Sequence, residues 1–213
     1  MQSSPITTVA AFLTLFLGVS AQGELLNVTT LDTPGASDTN AYAQDVDGNN
    51  IIGLYHDADN NLYSYLFDGT NYTTLDMPGA SEIHALGIDD GNIAGYYIDA
   101  DGDHHGFLFD GTNYTTLDVP GASFARAFGI DGGNIVGYYN DADGYHGFIY
   151  DGAGYTTLDV PGATHTQANR IDGSNIVGYY HEGSYHGFIA AIPEPATLSL
   201  LTLGTLMLLR RRR

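Results

Sequence analysis

The stretch YTTLDMPGASEIHALGIDDGNIAGYYIDADGDHHGFLFDGTN, residues 72–113, decides the fold because the chain repeats it. The phrase TTLD begins at Thr29, Thr73, Thr115 and Thr156, at spacings of 44, 42 and 41 residues. Two more phrases recur in the same order: one reads NNIIGLY, GNIAGYY, GNIVGYY and SNIVGYY, and the other reads YSYLF, HHGFLF, YHGFIY and YHGFI. Periods in this range are typical of propellers and solenoids. The sequence therefore predicts four copies of one structural unit.

Each copy offers four short segments rich in Ile, Val, Tyr, Phe and Thr, the residues that favour β-strands. In the second copy the predicted strands are Ala85–Ile88, Asn92–Tyr97, His105–Phe109 and Tyr114–Leu117. Asp90-Gly91 and Asp110-Gly111 are hairpin signals, and Pro120-Gly121 marks the crossing to the next copy. No stretch between the two ends has a helical period. Four antiparallel strands in a unit of this size match one blade of a β-propeller.

The phase of the repeat predicts how the array closes. The chain enters on a TTLD strand near Val28–Leu31 and leaves on an HGF strand at His186–Ala190, so the last copy lacks an outer strand of its own. If the first strand supplies it, the ring closes without exposed edges. We therefore predict an all-β domain over residues 22–190, a small four-bladed β-propeller. An open β-solenoid and a half-ring that dimerises are the alternatives.

Charge narrows the choice of partners. Residues 22–190 hold 24 Asp and Glu against only Arg126 and Arg170, a net charge of −22. Such a surface repels phosphate backbones, so nucleic acid is excluded as a partner. The many aromatic residues argue against a disordered acidic chain. The chain has no cysteine, which rules out disulfides and thiol chemistry.

Both ends have the pattern of targeting segments. Residues 1–21 contain an apolar core from about Val9 to Val19, and Val19-Ser20-Ala21 fits a small-x-small cleavage pattern, typical of a signal peptide cleaved after Ala21. Residues 191–213 contain an apolar run of nearly the ~20 residues that span a bilayer as a transmembrane helix. The basic cluster that follows is expected to stay cytoplasmic. The motif residues at this end are Pro193, Glu194, Pro195, Arg210, Arg211, Arg212 and Arg213.

The order of triplet, apolar helix and arginines resembles a PEP-CTERM sorting signal. The resemblance covers residues 192–213. It implies recognition by exosortase, a membrane protease-transpeptidase of Gram-negative bacteria that make extracellular polysaccharide. The protein is then expected as a membrane-anchored precursor that moves to the cell surface or the extracellular matrix.

The repeat phrases resemble the HAF-type extracellular repeats over residues 27–190. The carrying motifs are an HGFLY-like strand, YTTLDxPGA, an AxGI strand and a GxIVGYY strand. The first copy departs from the pattern, with Ser64-Tyr65 in place of His-Gly and two extra residues around Gln44 to Asn49. The resemblance implies export and names no activity.

The recurring histidines invite a metal hypothesis, but their spacing opposes it. His105, His146 and His186 occupy one repeat position. Equivalent positions in separate blades lie far apart unless they line the central channel, and the HGF strand is expected to be third from the centre. We predict that each histidine bonds within its own blade, to the backbone or to the TTLD aspartate such as Asp118.

Acidic turns supply the alternative metal site. Alternating carboxylates with a glycine suit calcium, although Asp and Gly are also ordinary hairpin residues. The candidate calcium ligands are Asp57, Asp59, Asp99, Asp101, Asp103, Asp141 and Asp143. No other cofactor is predicted.

The positions that differ between copies are the candidate ligand site. After each Pro-Gly-Ala the copies read SDTNA, SEIHA, SFARA and THTQA. In a propeller these crossings enter the innermost strands and ring one mouth of the channel, where a small polar ligand or glycan could bind. Drift in exposed loops is the alternative. The candidate residues are Asn40, His84, Phe124, Arg126, His165 and Gln167.

These features predict an exported surface or matrix protein that binds or forms structure and is not an enzyme. An enzyme acting on extracellular polysaccharide, a glycoside hydrolase or lyase, is the alternative, since carboxylate pairs can run such chemistry. A residue present in every copy is more simply explained by folding, because one active site needs one copy.

Overall fold

The structure, a computed structural model, describes residues 30–31, 33–36 and 41–193. Residues 1–31 and 32–213 form two units, and every described strand belongs to the second. The strands of the first half are β1 (Ala41–Asp47), β2 (Asn50–His56), β3 (Leu62–Phe67), β4 (Tyr72–Leu75), β5 (Ala80–Asp89), β6 (Asn92–Asp99), β7 (His104–Phe109) and β8 (Tyr114–Leu117). The strands of the second half are β9 (Phe124–Asp131), β10 (Asn134–Asn140), β11 (Tyr145–Tyr150), β12 (Tyr155–Leu158), β13 (His165–Asp172), β14 (Asn175–His181) and β15 (Tyr185–Ala191).

The strands form one antiparallel meander for each sequence copy. We call β1–β4 repeat 1, β5–β8 repeat 2, β9–β12 repeat 3 and β13–β15 repeat 4. Each pairs its strands in chain order, and one parallel bridge between Tyr145 and His165 joins repeats 3 and 4. The all-β prediction is confirmed for the described residues, in which no helix occurs. The four strands predicted in repeat 2 are also confirmed, with β5, β6 and β7 longer than expected.

The predicted turns form where the sequence places them. Asp90 and Gly91 have positive φ angles of 46° and 76°, the left-handed pair that joins β5 to β6 in a two-residue hairpin. Asp110 closes the turn between β7 and β8 by accepting hydrogen bonds from the amides of Thr112 and Asn113. After Pro120-Gly121, the Ala122 amide bonds the Val119 carbonyl and the chain enters repeat 3.

Successive repeats pack face to face, always in the same order. We call the front face of a repeat the one that packs on the preceding repeat, and the back face the one that packs on the following repeat. Between repeats 3 and 4, back-face Val136 meets front-face Ala168, Ile171 and Ile176, and all four are buried. The other two interfaces have the same plan. Burial of these apolar side chains therefore stabilises the contact between neighbouring repeats.

The described residues form an open arc, not a ring. Strands β5, β9 and β13 each pack against the repeat before them, but repeat 4 does not close onto repeat 1. Closure by a strand near Val28–Leu31 stays a prediction, because most of that segment lies outside the described residues. The four-bladed count stays a prediction for the same reason.

The targeting segments also lie outside the described part of the chain. This applies to the signal peptide of residues 1–21 and to the sorting signal after Pro193. Within the described ranges there is no helix long and apolar enough to cross a membrane.

The strand register corrects two details of the repeat alignment. Tyr65 pairs with Gly53 as Phe107 pairs with Gly95, so Tyr63-Ser64, not Ser64-Tyr65, stands in place of His-Gly. The hairpin between β1 and β2 has the length of its counterpart in repeat 2, so the two extra residues do not fall around Gln44 to Asn49. The two extra residues precede β1. The sequence alone could not place them, because the first copy can be aligned with the second in either of two registers.

Candidate functional site: an aromatic wall around Arg126

Opposed residues on the first two strands of a repeat set the candidate site. His84 on β5 lies opposite Tyr96 on β6, and Arg126 on β9 lies opposite Tyr138 on β10. Ala127, next to Arg126, is fully buried in the front-face core. Because side chains alternate along a strand, the opposed pairs lie on the other face, away from that core.

The outer repeats vary the same plan. In repeat 4, Gln167 lies opposite Tyr179 and accepts a hydrogen bond of 2.8 Å from its hydroxyl. In repeat 1, Tyr42 lies opposite Leu54. The sequence alignment of Asn40 with His84 is therefore wrong, since Tyr42 occupies that register position. Asn40 itself lies outside the described residues.

Side chains of repeats 2, 3 and 4 join into a continuous layer of rings. We call the aromatic wall the set His84, Tyr96, His104, Phe124, Arg126, Phe128, Tyr138, Tyr145, His165 and Tyr179. His84 stacks on Tyr96 with ring centres 4.3 Å apart. His165 stacks on Tyr145 at 4.9 Å and on Tyr179 at 5.5 Å. Such pairs add about 0.5–1.5 kcal/mol each beyond burial, so the layer is held rigidly.

A β-bulge directs one more ring into the wall. The register between β9 and β10 passes from Ala127 to Gly129, which leaves Phe128 as the extra residue. A bulge re-aims the side chain it carries. Phe128 accordingly stacks on Tyr138, with centres 5.6 Å apart and planes 6° from parallel.

Arg126 stands in the middle of the wall as a caged cation. Its guanidinium carbon lies 4.7 Å from the ring centre of Tyr96, 5.6 Å from Phe124 and 5.9 Å from Tyr138. Its Nη2 lies 3.4 Å from Nε2 of His104. Within the described ranges no carboxylate forms an ion pair with it, so cation–π attraction compensates its partial burial.

Three buried nitrogens of the wall have no hydrogen-bond partner among the described residues. They are Nε of Arg126, Nδ1 of His104 and Nε2 of His165. Buried polar atoms are nearly always paired, and an unpaired one requires an explanation such as a bound ligand or water. The wall thus holds unused hydrogen-bonding capacity beside flat apolar rings.

The electrostatics of the wall keep its histidines neutral near neutral pH. Burial lowers the pKa of His84, with the Arg126 charge adding to the effect against Glu82. Burial and the same guanidinium lower the pKa of His104, and burial lowers that of His165. The wall therefore presents one positive charge, Arg126, within a neutral ring surface.

A cleft of about 290 Å³ opens beside the wall between repeats 2 and 3. Its lining includes His104, Phe124 and the crossing segment 119–123. A smaller cleft of about 120 Å³ lies at the corresponding place between repeats 1 and 2. The larger cleft shares His104 and Phe124 with the wall, so a ligand seated there would meet both.

The recurring histidines bond within their own repeats, as the sequence predicted. Nδ1 of His105 lies 2.8 Å from Asp118, and Nδ1 of His146 lies 2.9 Å from Asp159. Burial lowers the pKa of His105, but its bonds and charge contacts with Asp118 and Asp99 outweigh burial and raise it. The pKa of His146 is raised in the same way. These pairs are structural ties between β-strand and crossing.

The acidic turns direct their first carboxylate at their own backbone. Asp57, Asp99 and Asp141 each accept a hydrogen bond of 2.8–2.9 Å from the amide two residues later. These amide and side-chain bonds lower the pKa of all three carboxyls. In the described ranges, no group of three or more His, Asp or Glu side chains is placed to hold a metal ion. Calcium binding at the predicted turns stays a prediction.

Known structures share the fold but not the sequence. The chain matches no protein-family model and no curated protein. It is similar to the β-propeller domain of the Trilobed protease from Pyrococcus furiosus, described as having an open velcro topology. That likeness has a TM-score of 0.50 and 11% identity, and covers 66% of this chain and 49% of that one. At this identity the likeness shows a propeller-type fold alone.

Two further structures are similar at lower scores. Pyrococcus horikoshii acylaminoacyl peptidase gives a TM-score of 0.48 at 12% identity, over 69% of this chain and 26% of that one. The six-bladed fucose-recognising lectin of Aleuria aurantia gives 0.40 at 18% identity, over 72% and 61%. The chain thus spans from about a quarter to three fifths of the length of these structures.

The structure brings together most of the predicted ligand residues and adds others. His84, Phe124, Arg126 and His165 belong to the wall, and Gln167 borders it through Tyr179. The first tyrosines of the GYY phrases are not among the predicted ligand residues, because a residue that recurs in the copies is equally explained by folding. These tyrosines are identified by pairing the first two strands of each repeat, because each one lies opposite a predicted ligand residue.

Proposed function

We propose that this protein is a non-enzymatic binding module of propeller type that recognises a sugar-containing ligand at the aromatic wall. The carrying observation is the caged Arg126, which lies among three rings and keeps an unpaired Nε. Sugars offer flat C–H faces for ring stacking and hydroxyls for directed hydrogen bonds. A pocket of apolar rings with a few polar groups fits that chemistry.

The cleft gives the proposed ligand an entry. A volume of about 290 Å³ accommodates a small ring-shaped ligand, close to the lower bound of ordinary ligand pockets. Phe124 and His104 line the cleft and would supply the stacking face and a donor. Arg126 does not line the cleft, but its Nη2 lies 3.4 Å from Nε2 of His104, so it would donate to a ligand that extends from the cleft onto the wall. Rigid rings lose little conformational entropy on binding, which favours affinity.

A glycan-array screen of the full-length chain tests the proposal. We expect a selective hit that Arg126→Ala weakens by about tenfold or more, the loss of a charge-assisted hydrogen bond. Arg170→Ala is the matched control, since it removes the same charge from an exposed residue whose Nη1 bonds the Phe128 and Asn169 carbonyls. No selective binding would overturn the site, and turnover of a bound glycan would overturn the non-enzymatic role.

We further propose export, with sorting by an exosortase-type protease to the cell surface or matrix. The proposal rests on the sequence of residues 1–21 and 191–213. Replacement of Pro193, Glu194 and Pro195 by alanine is expected to leave the tail uncleaved, which the mass of the intact protein measures. A mature protein of unchanged mass would contradict this route.

A further inference from the structure

The front face of repeat 1 is uncovered, whereas the same face of every other repeat is buried. Val46 is 60% exposed, while Ile88, Ile130 and Ile171 at the same register position are 5%, 7% and 8% exposed. Ala43 is exposed as well, and its counterparts Ala85, Ala127 and Ala168 are fully buried. Within the described part of the chain, repeat 1 therefore carries the residues of an inter-repeat interface without a partner repeat.

The back face of repeat 4 is uncovered in the complementary way. Val177 is 44% exposed, although its counterparts Ile52, Ala94 and Val136 are fully buried against the next repeat. Ile189 on β15 is 71% exposed. Exposed apolar residues that cluster on one face mark an interaction surface.

A polar clasp accompanies the apolar contact and is also left open. The Asp89 carboxylate accepts a bond of 2.8 Å from the Gly132 amide in repeat 3. Asp131 does the same with Gly173 in repeat 4. Asp172 continues this series on an exposed surface, and Gly48 is the matching amide at the other end of the arc. The two open ends are thus complementary in apolar and polar groups.

We propose that a second copy of this chain docks head to tail, with the back face of repeat 4 on the front face of repeat 1. Three interfaces of this type already occur within the chain, so the docking continues an existing contact. Among the described residues, no strand of repeat 4 pairs with a strand of repeat 1, so both end faces are open to a second copy. A contact between unlike faces is heterologous, and two copies complete a ring if its rotation closes.

Cysteine cross-linking tests the proposal without interference, because the natural chain contains no cysteine. Val46 and Val177 correspond to Ile171 and Val136, which share one core cluster. In the full-length chain in detergent, the Val46→Cys/Val177→Cys variant is expected to give disulfide-linked dimers on oxidation. A mixture of the two single variants is expected to give disulfide-linked heterodimers. Each single variant alone is expected to give no disulfide-linked dimer.

A second double variant measures how often the two cysteines meet by random collision. Val46→Cys combined with Asp101→Cys, in an exposed turn away from both faces, measures random collision. We expect about tenfold less dimer from it, equivalent to ~1.4 kcal/mol of association. An internal disulfide in a monomer would overturn the proposal in favour of ring closure by the chain itself. Absence of cross-links, together with a mass of 22.7 kDa for the unmodified chain, would overturn it too.

Discussion

At the residue scale, the glycine of the GYY phrase explains why that phrase recurs. Gly95 and Gly137 lie where the second strand passes the first, next to the bulge. A Cβ atom at Gly137 would overlap the carbonyl oxygen of Arg126, and one at Gly95 that of His84. The motif is therefore a steric requirement of the bulged strand pair, which also positions Arg126.

Replacing this glycine should destabilise the fold strongly. We expect Gly137→Ala to lower the free energy of unfolding by about 1–3 kcal/mol, since the backbone must shift to admit the methyl group. Gly154→Ala is the matched control, because a Cβ there meets no atom within 4 Å. Urea denaturation compares the two. Equal stability of both variants would show that the strand pair relaxes freely.

Histidines with raised pKa values and histidines with lowered pKa values should affect the pH dependence of stability in opposite directions. His105 and His146 have raised pKa values, so their contribution is present below about pH 6.5 and is lost as pH rises through the folded pKa. His84, His104 and His165 have lowered pKa values, so their contribution is lost as pH falls below about 6.5. Stability should peak near that pH.

Removing the aspartate partners separates the two effects. The Asp118→Asn/Asp159→Asn variant should show a smaller decline on the alkaline side, because Asp99 and Asp141 still contact the two histidines, and should keep the decline on the acidic side. Melting temperatures across pH 5–9 measure this. A profile identical to that of the natural chain would show that these His–Asp pairs do not govern the alkaline limb.

At the element scale, repeat 1 replaces a glycine with a buried serine that ties two repeats together. Ser64 on β3 donates a hydrogen bond of 2.6 Å to the Ile83 carbonyl and accepts one of 2.9 Å from the Ala85 amide. Repeats 2 and 3 have Gly106 and Gly147 at this position. The hydroxyl thus takes part in the contact between β3 and β5.

Loss of that hydroxyl should weaken the contact between repeats 1 and 2. Ser64→Ala leaves a buried amide and a buried carbonyl unpaired, so we expect a loss of about 1–3 kcal/mol in unfolding free energy. Ser174→Ala, in an exposed turn, is the matched control and should change stability little. Chemical denaturation measures both. A small effect at Ser64 would mean that water replaces the hydroxyl.

The strands were predictable from the sequence because strand and turn signals lie within a few neighbouring residues. The site was not predictable, because it depends on which residues of paired strands lie opposite each other. Asp90-Gly91 fixes a hairpin by backbone preference alone, so β5 and β6 follow from the letters. The pairing of Arg126 with Tyr138 depends on a bulge at Phe128, and no residue type in the sequence predicts that bulge. The position of Tyr42 depends on where extra residues are absorbed before β1.

At the scale of the whole molecule, closure is the feature that the sequence could not decide. A repeat count gives the number of units, whereas closure depends on the angle that each inter-repeat contact imposes, accumulated over the arc. That angle follows from packed side chains such as Val136 and Ile171. The sheets of the described residues are not closed, so the closed four-bladed propeller and the half-ring that dimerises both stay predictions.

Salt should strengthen the proposed head-to-tail association. Each chain carries a formal charge of −19, so two copies repel one another while the apolar faces attract. Raising the salt from about 0.1 M to 1 M shortens the screening length from about 10 Å to 3 Å, and we expect at least about threefold tighter association. Sedimentation analysis of the full-length chain measures the dissociation constant.

The Val46→Asp variant should remain monomeric at both salt concentrations, because it places a charge on the front face of repeat 1. Association that weakens with salt would instead indicate that charged pairs hold the copies together, which the apolar residues Val46, Val177 and Ile189 cannot supply.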